Sequence, residues 1–221
     1  MAEIPSPVPP CSGVLVLLST NGLSIAMPKR FIPRDAYARK AVETGYLARS
    51  AFKLEAIVEK FGVLKPGDSV LDLGAAPGSW LQVACEVIGP KGRAVGVDLN
   101  PIAFTADNVR TLTCDILAPE SLRLIEPFGR FDVILSDAAP KTTGIRGHDQ
   151  AQSLALAERA VEIAQSCLRQ GGAMVVKVFE SADTSRLQKR IEKLFRNVYR
   201  YKPPASRDRS YETYLVALHK R

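Results

Sequence analysis

The sequence has few cysteines, and they are not arranged as metal ligands or as disulfide partners. The four, Cys11, Cys85, Cys114 and Cys167, are widely spaced and form no CxxC pair. Zinc modules need clustered ligands, and disulfide-stabilised scaffolds need many closely spaced cysteines. The sequence therefore predicts no metal site and no disulfide framework, and it favours a reducing compartment, the cytoplasm.

The sequence also lacks a hydrophobic run long enough to cross a membrane. Its apolar stretch at residues 13–26 is short and contains Ser19, Thr20, Asn21 and Ser24, whereas a spanning helix needs about 20 predominantly apolar residues. The same stretch lacks the basic start of a secretory signal and the arginines of a transit peptide. We expect no membrane partner, and we interpret residues 1–28 as a poorly ordered extension, with Met27 as a candidate initiator.

Acidic residues are too few to balance the basic ones. The chain has 30 Lys and Arg against 23 Asp and Glu, a net charge of +7. Residues 1–26 carry only Glu3, so the basic excess lies in the remainder. Such an excess favours a polyanionic partner or an anionic surface, although a merely soluble basic protein would show it too.

Residues 29–221 alternate short apolar runs with amphipathic stretches and contain no internal repeat, which predicts a single α/β domain with a largely parallel sheet. The expected strands are Ser69–Leu73, Ala94–Asp98, Val109–Cys114, Phe131–Ser136, Ala173–Phe179, Val198–Tyr201 and Tyr214–His219. The expected helices are Ser50–Phe61, Ser79–Ile88, Pro119–Glu126, Ala151–Leu168 and Thr184–Phe195.

The segment VLDLGAAPGSW, residues 70–80, predicts a strand, a tight turn and a helix start, where small residues let a ligand approach the backbone. It lacks the GxGxxG spacing of a dinucleotide-binding loop, so a nucleoside ligand without a pyrophosphate fits it better. About twenty residues later, Asp98 ends an apolar run, where its carboxylate could accept hydrogen bonds from ribose hydroxyls. An ordinary strand-to-helix turn is the simpler alternative.

Four more distant side chains stand in distinctive contexts: Lys53 in RSAFKL, Asp137 in LSDAAP, Lys177 in MVVKVFE and Glu212 in SYETYLVA. A lysine inside an apolar strand is costly unless it is paired or reaches the surface. Together with DLGAAPGSW, and in the same order, these motifs resemble the FtsJ/RrmJ family of RNA 2′-O-methyltransferases over about residues 31–220. The chain departs from the family pattern at Ser79, where a second glycine is common.

The resemblance implies a Rossmann-like methyltransferase fold, with a seven-stranded, mostly parallel sheet, an antiparallel edge pair and helices on both faces. It also implies S-adenosylmethionine as methyl donor. Gly74, Gly78 and Trp80 would border the donor, the last two at its methionine end, and Asp98 would take the ribose. Further cofactor contacts are implied at Asp115, near the adenine amino group or alternatively as a helix N-cap; at Asp72, for the turn and the methionine amino group; and at Asp137.

The resemblance assigns catalytic roles to the four distant residues. Lys177 would accept the hydroxyl proton, because burial and the neighbouring cation Lys53 favour its neutral amine. Lys53 would hold the target hydroxyl, Asp137 would link the donor to the lysines, and Glu212 would pair with the lysines.

RNA is the expected partner, in particular a uridine of large-subunit (23S) ribosomal RNA, as naked RNA or in the assembled subunit. Basic residues between Arg186 and Arg209, interleaved with Tyr199 and Tyr201, could contact phosphates and stack a base, although a solvated helix face explains part of that cluster. A second basic set precedes Lys53 and consists of Lys29, Arg30, Arg34, Arg39, Lys40 and Arg49. Transfer RNA or a cap structure are alternative substrates, and a non-catalytic ribosome-assembly factor is the alternative class. A monomer is expected.

Overall fold

The computed structural model describes residues 36–207 and 210–221; the predicted extension at residues 1–28 lies outside them. The helices are α1 (Ala36–Thr44), α2 (Ala51–Phe61), α3 (Ser79–Ile88), α4 (Ser121–Ile125), α5 (Arg146–Cys167) and α6 (Thr184–Glu192), with a 3₁₀ turn at Glu126–Phe128. The strands are β1 (Ser69–Leu73), β2 (Arg93–Asp98), β3 (Val109–Thr113), β4 (Phe131–Ser136), β5 (Leu168–Phe179), β6 (Phe195–Tyr201) and β7 (Glu212–Lys220).

The seven strands form one sheet in the order β3-β2-β1-β4-β5-β7-β6. Strands β1 to β5 pair in parallel, whereas β7 lies antiparallel between β5 and β6. The chain crosses from one side of β1 to the other between β3 and β4, and in such sheets ligands bind at the carboxyl ends of the strands flanking this switch point. The predicted α/β methyltransferase fold and its antiparallel edge pair are confirmed.

The sheet divides the apolar core into two layers. Leu71 and Leu73 of β1 face the layer that includes α5 and α6, and Val70 faces the layer that includes α2 and α3. This alternation follows from the two-residue period of a strand. Because apolar layers cover both faces of the sheet, a ligand can reach polar side chains of the sheet only at the ends of the strands.

The largest differences from the prediction concern α1, α5 and β5, whereas the other bounds agree within three residues. Helix α1 was not predicted, because only its Ala41 is buried and its sequence has no apolar stripe. Helix α5 begins at Arg146 instead of Ala151. Its start was not predicted because its first turn is polar and exposed except for Asp149 and has no apolar period. Strand β5 begins at Leu168 although Gly171 and Gly172 follow, a pair that in sequence indicates a turn.

Candidate active site

A cleft opens where the carboxyl ends of β1 to β4 meet α5. Its volume is about 610 Å³, a size suited to a nucleoside-sized ligand. The lining comes from the loops after each of these strands and from one face of α5: Gly74, Ala76, Asp98, Leu99, Asn100, Cys114, Asp115, Ile116, Leu117, Asp137, Ala138, Ala139, Pro140, Lys141, Gln152, Ala155 and Leu156.

Gly74 allows the β1 loop and the β4 loop to approach closely. Its φ is +77°, and a Cβ at this position would lie 2.5 Å from the Cα of Ala138. A side chain would therefore be strained by the backbone conformation and would also clash with the neighbouring loop. The glycine is required by the geometry of the cleft floor.

Asp98 lies at the end of β2, in the wall of the cleft, as predicted. Its Oδ2 accepts a hydrogen bond from the backbone N–H of Ala76 at 3.0 Å, and its Oδ1 accepts bonds from the backbone and side-chain nitrogens of Asn100. These bonds orient the carboxylate. Because each carboxylate oxygen can accept more than one hydrogen bond, acceptor capacity remains for a ligand hydroxyl.

Asp115 also lines the cleft, in the loop after β3. Its Oδ1 accepts a hydrogen bond from the backbone N–H of Leu117 at 2.9 Å, which closes a local turn. Helix α4 begins only at Ser121, with Glu120 before it. The alternative role of Asp115 as its N-cap is therefore wrong.

Two residues expected to border the donor, Gly78 and Trp80, do not line this cleft. Trp80 is 2% exposed, packs against Tyr214 and donates from its indole nitrogen to the carbonyl of Ser50. The first turn of α3 directs this large apolar side chain into the core instead of the cleft. Gly78 begins α3 with φ +118°, and a Cβ there would lie 2.4 Å from the Cβ of Phe104. Neither residue is part of the lining of the cleft.

Asp72 is also outside the cleft lining. The residue is fully buried in β1, and both carboxylate oxygens lack a hydrogen-bond partner among the described residues. The hydrogen bonds by which it was expected to order the turn are therefore not formed. Burial, reinforced by the charges of Asp137 and Asp98, raises the pKa of Asp72 well above its ordinary value.

The fold brings the four distant residues of the sequence motifs together beside the cleft. Lys53 of α2 contacts Glu212, the first residue of β7, with an Nζ–Oε1 distance of 2.6 Å. Lys177 of β5 contacts Asp137, which follows β4, with an Nζ–Oδ1 distance of 3.0 Å, and donates to the carbonyl of the same residue at 2.5 Å. Glu212 thus pairs with Lys53, and Lys177 pairs with Asp137.

Tyr214 is a fifth polar residue of this group, and the sequence reasoning missed it. Its hydroxyl donates to Oδ1 of Asp137 at 2.7 Å, and the Nζ of Lys53 lies 5.8 Å from its ring centroid. It is paired with Lys177 in the β5–β7 register and is fully buried. Its position two residues after Glu212, on the same face of a strand, was the signal available in the sequence.

The electrostatics of the group keep Asp137 ionised. Burial raises the pKa of Asp137, but the cations of Lys177 and Lys53 and the hydrogen bonds from Tyr214 and Lys177 outweigh burial and lower it below its ordinary value. Burial and the negative charges of Asp137 and Glu212 raise the pKa of Tyr214 well above 10, so its hydroxyl stays a donor. The result is an anionic carboxylate at the junction of the cleft and the lysines.

The basic surface differs from the expectation. Arg196 is near the start of β6, at the sheet edge opposite the cleft, roughly 16 Å along the strand from Tyr201. Arg200 pairs with Glu180 at 3.0 Å. The rings of Tyr199 and Tyr201 pack against Phe61 of α2, each with its centroid 5.4 Å away. The cluster is thus spread over both edges of the sheet and does not form one wall.

The second basic set does approach the site in part. Arg49 donates to the carbonyl of Ala205, and burial together with the nearby Arg207 lowers the pKa of its guanidinium. Ala41 of α1, Phe52 of α2 and Ala205 form a small apolar cluster beneath it. The start of α2 therefore packs beside the segment that leads into β7. Lys29, Arg30 and Arg34 lie outside the described residues.

Two features are absent from the part of the chain that the structure describes. Within residues 36–207 and 210–221 no helix has both the length and the apolarity to cross a bilayer. The same residues contain no group of three or more His, Cys, Asp or Glu side chains that could hold a metal ion.

Comparison with known proteins gives consistent matches. The chain is 46% identical over 194 residues to the ribosomal RNA large subunit methyltransferase E of Anaeromyxobacter dehalogenans, a match that covers 86% of this chain and 72% of that protein. It is 44% identical to the protein of the same name from Bdellovibrio bacteriovorus, over 86% of this chain and 98% of that protein.

Solved structures show a related fold. A ribosomal RNA methyltransferase, putative, from Plasmodium falciparum superposes with a TM-score of 0.70 at 28% identity and covers 79% of this chain and 98% of that chain. Aeropyrum pernix fibrillarin in complex with S-adenosyl-L-methionine, with a TM-score of 0.56, 22% identity and 76% of each chain covered, shares the fold alone.

The model of the FtsJ-like methyltransferase family matches residues 46–220, a segment that contains Lys53, Asp137, Lys177 and Glu212 as well as the whole cleft. With the curated relatives above 40% identity over most of both chains, this match shows that the chain belongs to the FtsJ-like methyltransferase family.

Proposed function

We propose that this protein transfers the methyl group of S-adenosylmethionine to the 2′-hydroxyl of a ribose in RNA, and that its substrate is a uridine of large-subunit ribosomal RNA. The observation that carries the proposal is the position of Asp137. This carboxylate lines the nucleoside-sized cleft and at the same time holds Lys177, so the donor site and the two lysines adjoin. The relatives named as large-subunit ribosomal RNA methyltransferases support the substrate class.

The residues of the cleft fit the donor. Gly74 leaves the floor open where a Cβ would meet Ala138, and the oriented carboxylate of Asp98 can accept hydrogen bonds from ribose hydroxyls. Leu99 and Leu117, 63% and 46% exposed, offer apolar surface for the adenine ring. When bound, the donor supplies a methyl group activated by a sulfonium.

The protein then has to align the hydroxyl and remove its proton. Lys53, fixed at 2.6 Å from Glu212, donates to the target oxygen and keeps it in place. Lys177 accepts the proton, a step for which it must be a neutral amine when the hydroxyl arrives. Its Nζ lies 3.0 Å from Oδ1 of Asp137, so the proposed proton acceptor directly contacts the carboxylate that lines the cleft.

A non-catalytic assembly factor on the same fold would have no need for this arrangement. Lys53 and Lys177 are 7% and 6% exposed, and burying two ammonium groups with their carboxylates is costly compared with apolar packing. The position of two buried lysines beside the cleft therefore favours a catalytic role over that of a non-catalytic assembly factor. Action on ribosomal RNA also agrees with a cytoplasmic location. We further propose that the catalytic domain acts as a monomer.

The test is direct. The protein is incubated with isotopically labelled S-adenosylmethionine and unmethylated large ribosomal subunits, and the modified nucleotide is mapped. We expect label at the 2′-oxygen of one uridine. Transfer RNA, capped RNA and naked ribosomal RNA serve as competing substrates. Label in a base, in protein or in none of these RNAs would refute the proposal, and label in a different RNA would correct the substrate.

A further inference from the structure

A second concave surface lies near the four residues Lys53, Asp137, Lys177 and Glu212, here called the tetrad. It shares no lining residue with the donor cleft. Two cavities, of about 430 and 330 Å³, meet at the first turn of α5. Both are lined by Arg146, Gln150 and Tyr211. Tyr211 directly precedes Glu212, and the loop that leads to Arg146 begins after Asp137. Two residues of the tetrad are thus joined by short segments to this surface.

The walls of the two cavities are fixed by hydrogen bonds. The side chain of Gln150 donates to the carbonyl of Glu180 at 2.5 Å, and the backbone N–H of Glu180 donates to the carbonyl of Tyr211 at 2.8 Å. The carboxylate of Asp149 accepts from the backbone N–H groups of Thr143 and Gly144 and from the hydroxyl of Thr143. The loop after Asp137 is therefore anchored to α5, and the cavities are preformed.

Arg146 and Tyr211 form a stacked pair at the mouth of both cavities. The guanidinium carbon of Arg146 lies 4.2 Å from the ring centroid of Tyr211. The tyrosine is 53% exposed, so part of its ring faces solvent. Among the described residues, Arg146 makes no hydrogen bond and no ion pair, and its N–H donors are available to a ligand.

Helix stability does not explain Arg146. A cation at the first position of a helix opposes the helix dipole, which favours acidic residues there. Glu180, the acidic side chain of the neighbouring wall, is already paired with Arg200 at 3.0 Å. The surface therefore combines an exposed aromatic ring, a planar cation and unpaired donors. Single-stranded RNA is bound through such groups, because bases stack on aromatic rings or guanidinium planes and phosphates accept hydrogen bonds from arginine.

We propose that the Arg146–Tyr211 pair is a subsite for a nucleotide next to the methylated one. Its base stacks on the pair, its phosphate accepts hydrogen bonds from Arg146, and the target ribose is thereby held at the lysines. This inference rests on the proposed function and adds to it a determinant of RNA positioning that lies outside the tetrad. Both residues position the substrate and take no part in the transfer.

The test uses four variants and two readouts. Tyr211→Ala removes the aromatic ring, whereas Tyr211→Phe keeps it. Arg146→Gln removes the positive charge, whereas Arg146→Lys keeps the charge but replaces the planar guanidinium with an ammonium. Arg123→Gln, an exposed arginine on α4, is the control for loss of one positive charge. The first readout is methylation of unmethylated large subunits, with kcat and KM determined separately. The second is the fluorescence quenching of 2-aminopurine in a short single-stranded RNA, which reports base stacking.

We expect Tyr211→Ala and Arg146→Gln to raise the KM for RNA about tenfold or more, as for loss of one base stack or one charged contact, with kcat and S-adenosylmethionine affinity unchanged. Arg146→Gln should also reduce the logarithmic salt slope of RNA binding by about 0.7. Tyr211→Phe should retain both KM and quenching. Arg146→Lys should keep the salt slope and lose part of the quenching.

Unchanged KM and quenching in Tyr211→Ala and Arg146→Gln would overturn the subsite, as would an equal effect of Arg123→Gln. A lower melting temperature and a lower S-adenosylmethionine affinity in Tyr211→Ala, with Tyr211→Phe unaffected, would assign the ring a structural role instead. The proposed function is judged separately by the wild-type protein. If it methylates no RNA but still quenches 2-aminopurine through Tyr211, the function is wrong and the nucleotide-binding surface stands.

Discussion

At the scale of single residues, the two buried lysines have different partners, and this difference suggests different roles. Lys53 pairs with Glu212, which is not part of the cleft lining, whereas Lys177 pairs with Asp137, which is. Lys53 is thus fixed from outside the cleft. Lys177 shares its carboxylate with the cleft, and in the proposed mechanism this contact couples its proton exchange to donor binding.

Lys177→Met should abolish most turnover. The substitution keeps an unbranched side chain in the apolar strand but removes the amine, and loss of a positioned base costs on the order of 10²–10⁴ in rate. Lys177→Arg should fail too, because a guanidinium stays protonated. Single-turnover rates at saturating RNA and donor measure the effect, and calorimetry should find donor affinity nearly unchanged. Near-native transfer by either variant would assign proton removal to another group or to water.

Tyr214→Phe should shift the pH dependence of turnover. The hydroxyl of Tyr214 helps to lower the pKa of Asp137, so its removal raises that pKa while leaving the ring packed against Trp80. Asp137 then becomes protonated at a higher pH as the pH falls, and the acidic limb of the rate profile should move upward. A hydrogen bond to a charged group contributes about 1.5–3 kcal/mol. An unmoved acidic limb would show that the Tyr214 bond has no influence on the reaction.

At the scale of elements, the cleft depends on how closely the loops after β1 and β4 approach. Both loops follow parallel strands that pair directly, Leu73 with Ser136. Gly74 and Ala138, which follow these paired residues, therefore lie against each other. Asp137 lies between the paired strand end and Ala138, and its side chain lines the cleft. The geometry of the donor site is a consequence of this strand pairing.

Gly74→Ala should destroy donor binding. The new Cβ would lie 2.5 Å from the Cα of Ala138, so one of the two loops must move. Gly67→Ala is a matched control, since Gly67 has a similar φ of +86° and a Cβ added there would have no neighbouring atom within 4 Å. Both variants should lose about 1–2 kcal/mol of stability through backbone strain, but only Gly74→Ala should lose S-adenosylmethionine affinity in calorimetry. Equal affinities would mean that the loops can separate without harm to the site.

At the scale of the whole molecule, stability should depend on pH through Asp72. Its pKa is raised well above 3.8 in the folded protein, so between about pH 4 and the folded pKa the native state binds more protons than the unfolded state. By linkage, the contribution of Asp72 to the free energy of unfolding falls as the pH rises through this window. A buried carboxyl that has no hydrogen-bond partner among the described residues thus destabilises the folded state when it must ionise.

Asp72→Asn should remove the decrease in the free energy of unfolding that Asp72 causes as the pH rises. Urea unfolding of the wild-type protein and the variant between pH 4 and pH 8 measures it, and the difference between the two should grow in favour of the variant as the pH rises. Parallel curves for the wild-type protein and Asp72→Asn would show that Asp72 does not bind the extra proton.

Much of the molecule could be predicted from the sequence because the signals are local. The two-residue and 3.6-residue apolar periods gave β1, β4 and α3 with the bounds that the structure has. The resemblance to the FtsJ/RrmJ family implied that Lys53, Asp137, Lys177 and Glu212 share one site, and the position of Asp137 after a parallel strand placed that residue at the ligand-binding edge of the sheet. The missed helix α1 and the early starts of α5 and β5 lack such periods.

What only the tertiary structure decided is which side chain faces which, because residues far apart in the chain come into contact and local patterns do not encode their partners. Trp80 and Asp72 belong to the loop motif, yet packing places both outside the cleft lining. Arg196 belongs to the basic cluster, yet strand direction carries it to the opposite edge. Tyr214 bonds Asp137 and Arg146 stacks on Tyr211 across 77 and 65 positions of the chain. The sequence by itself determined the fold class and which motif residues meet beside the cleft, whereas these contacts depend on the register of β5 with β7 and on the path of the loop after β4.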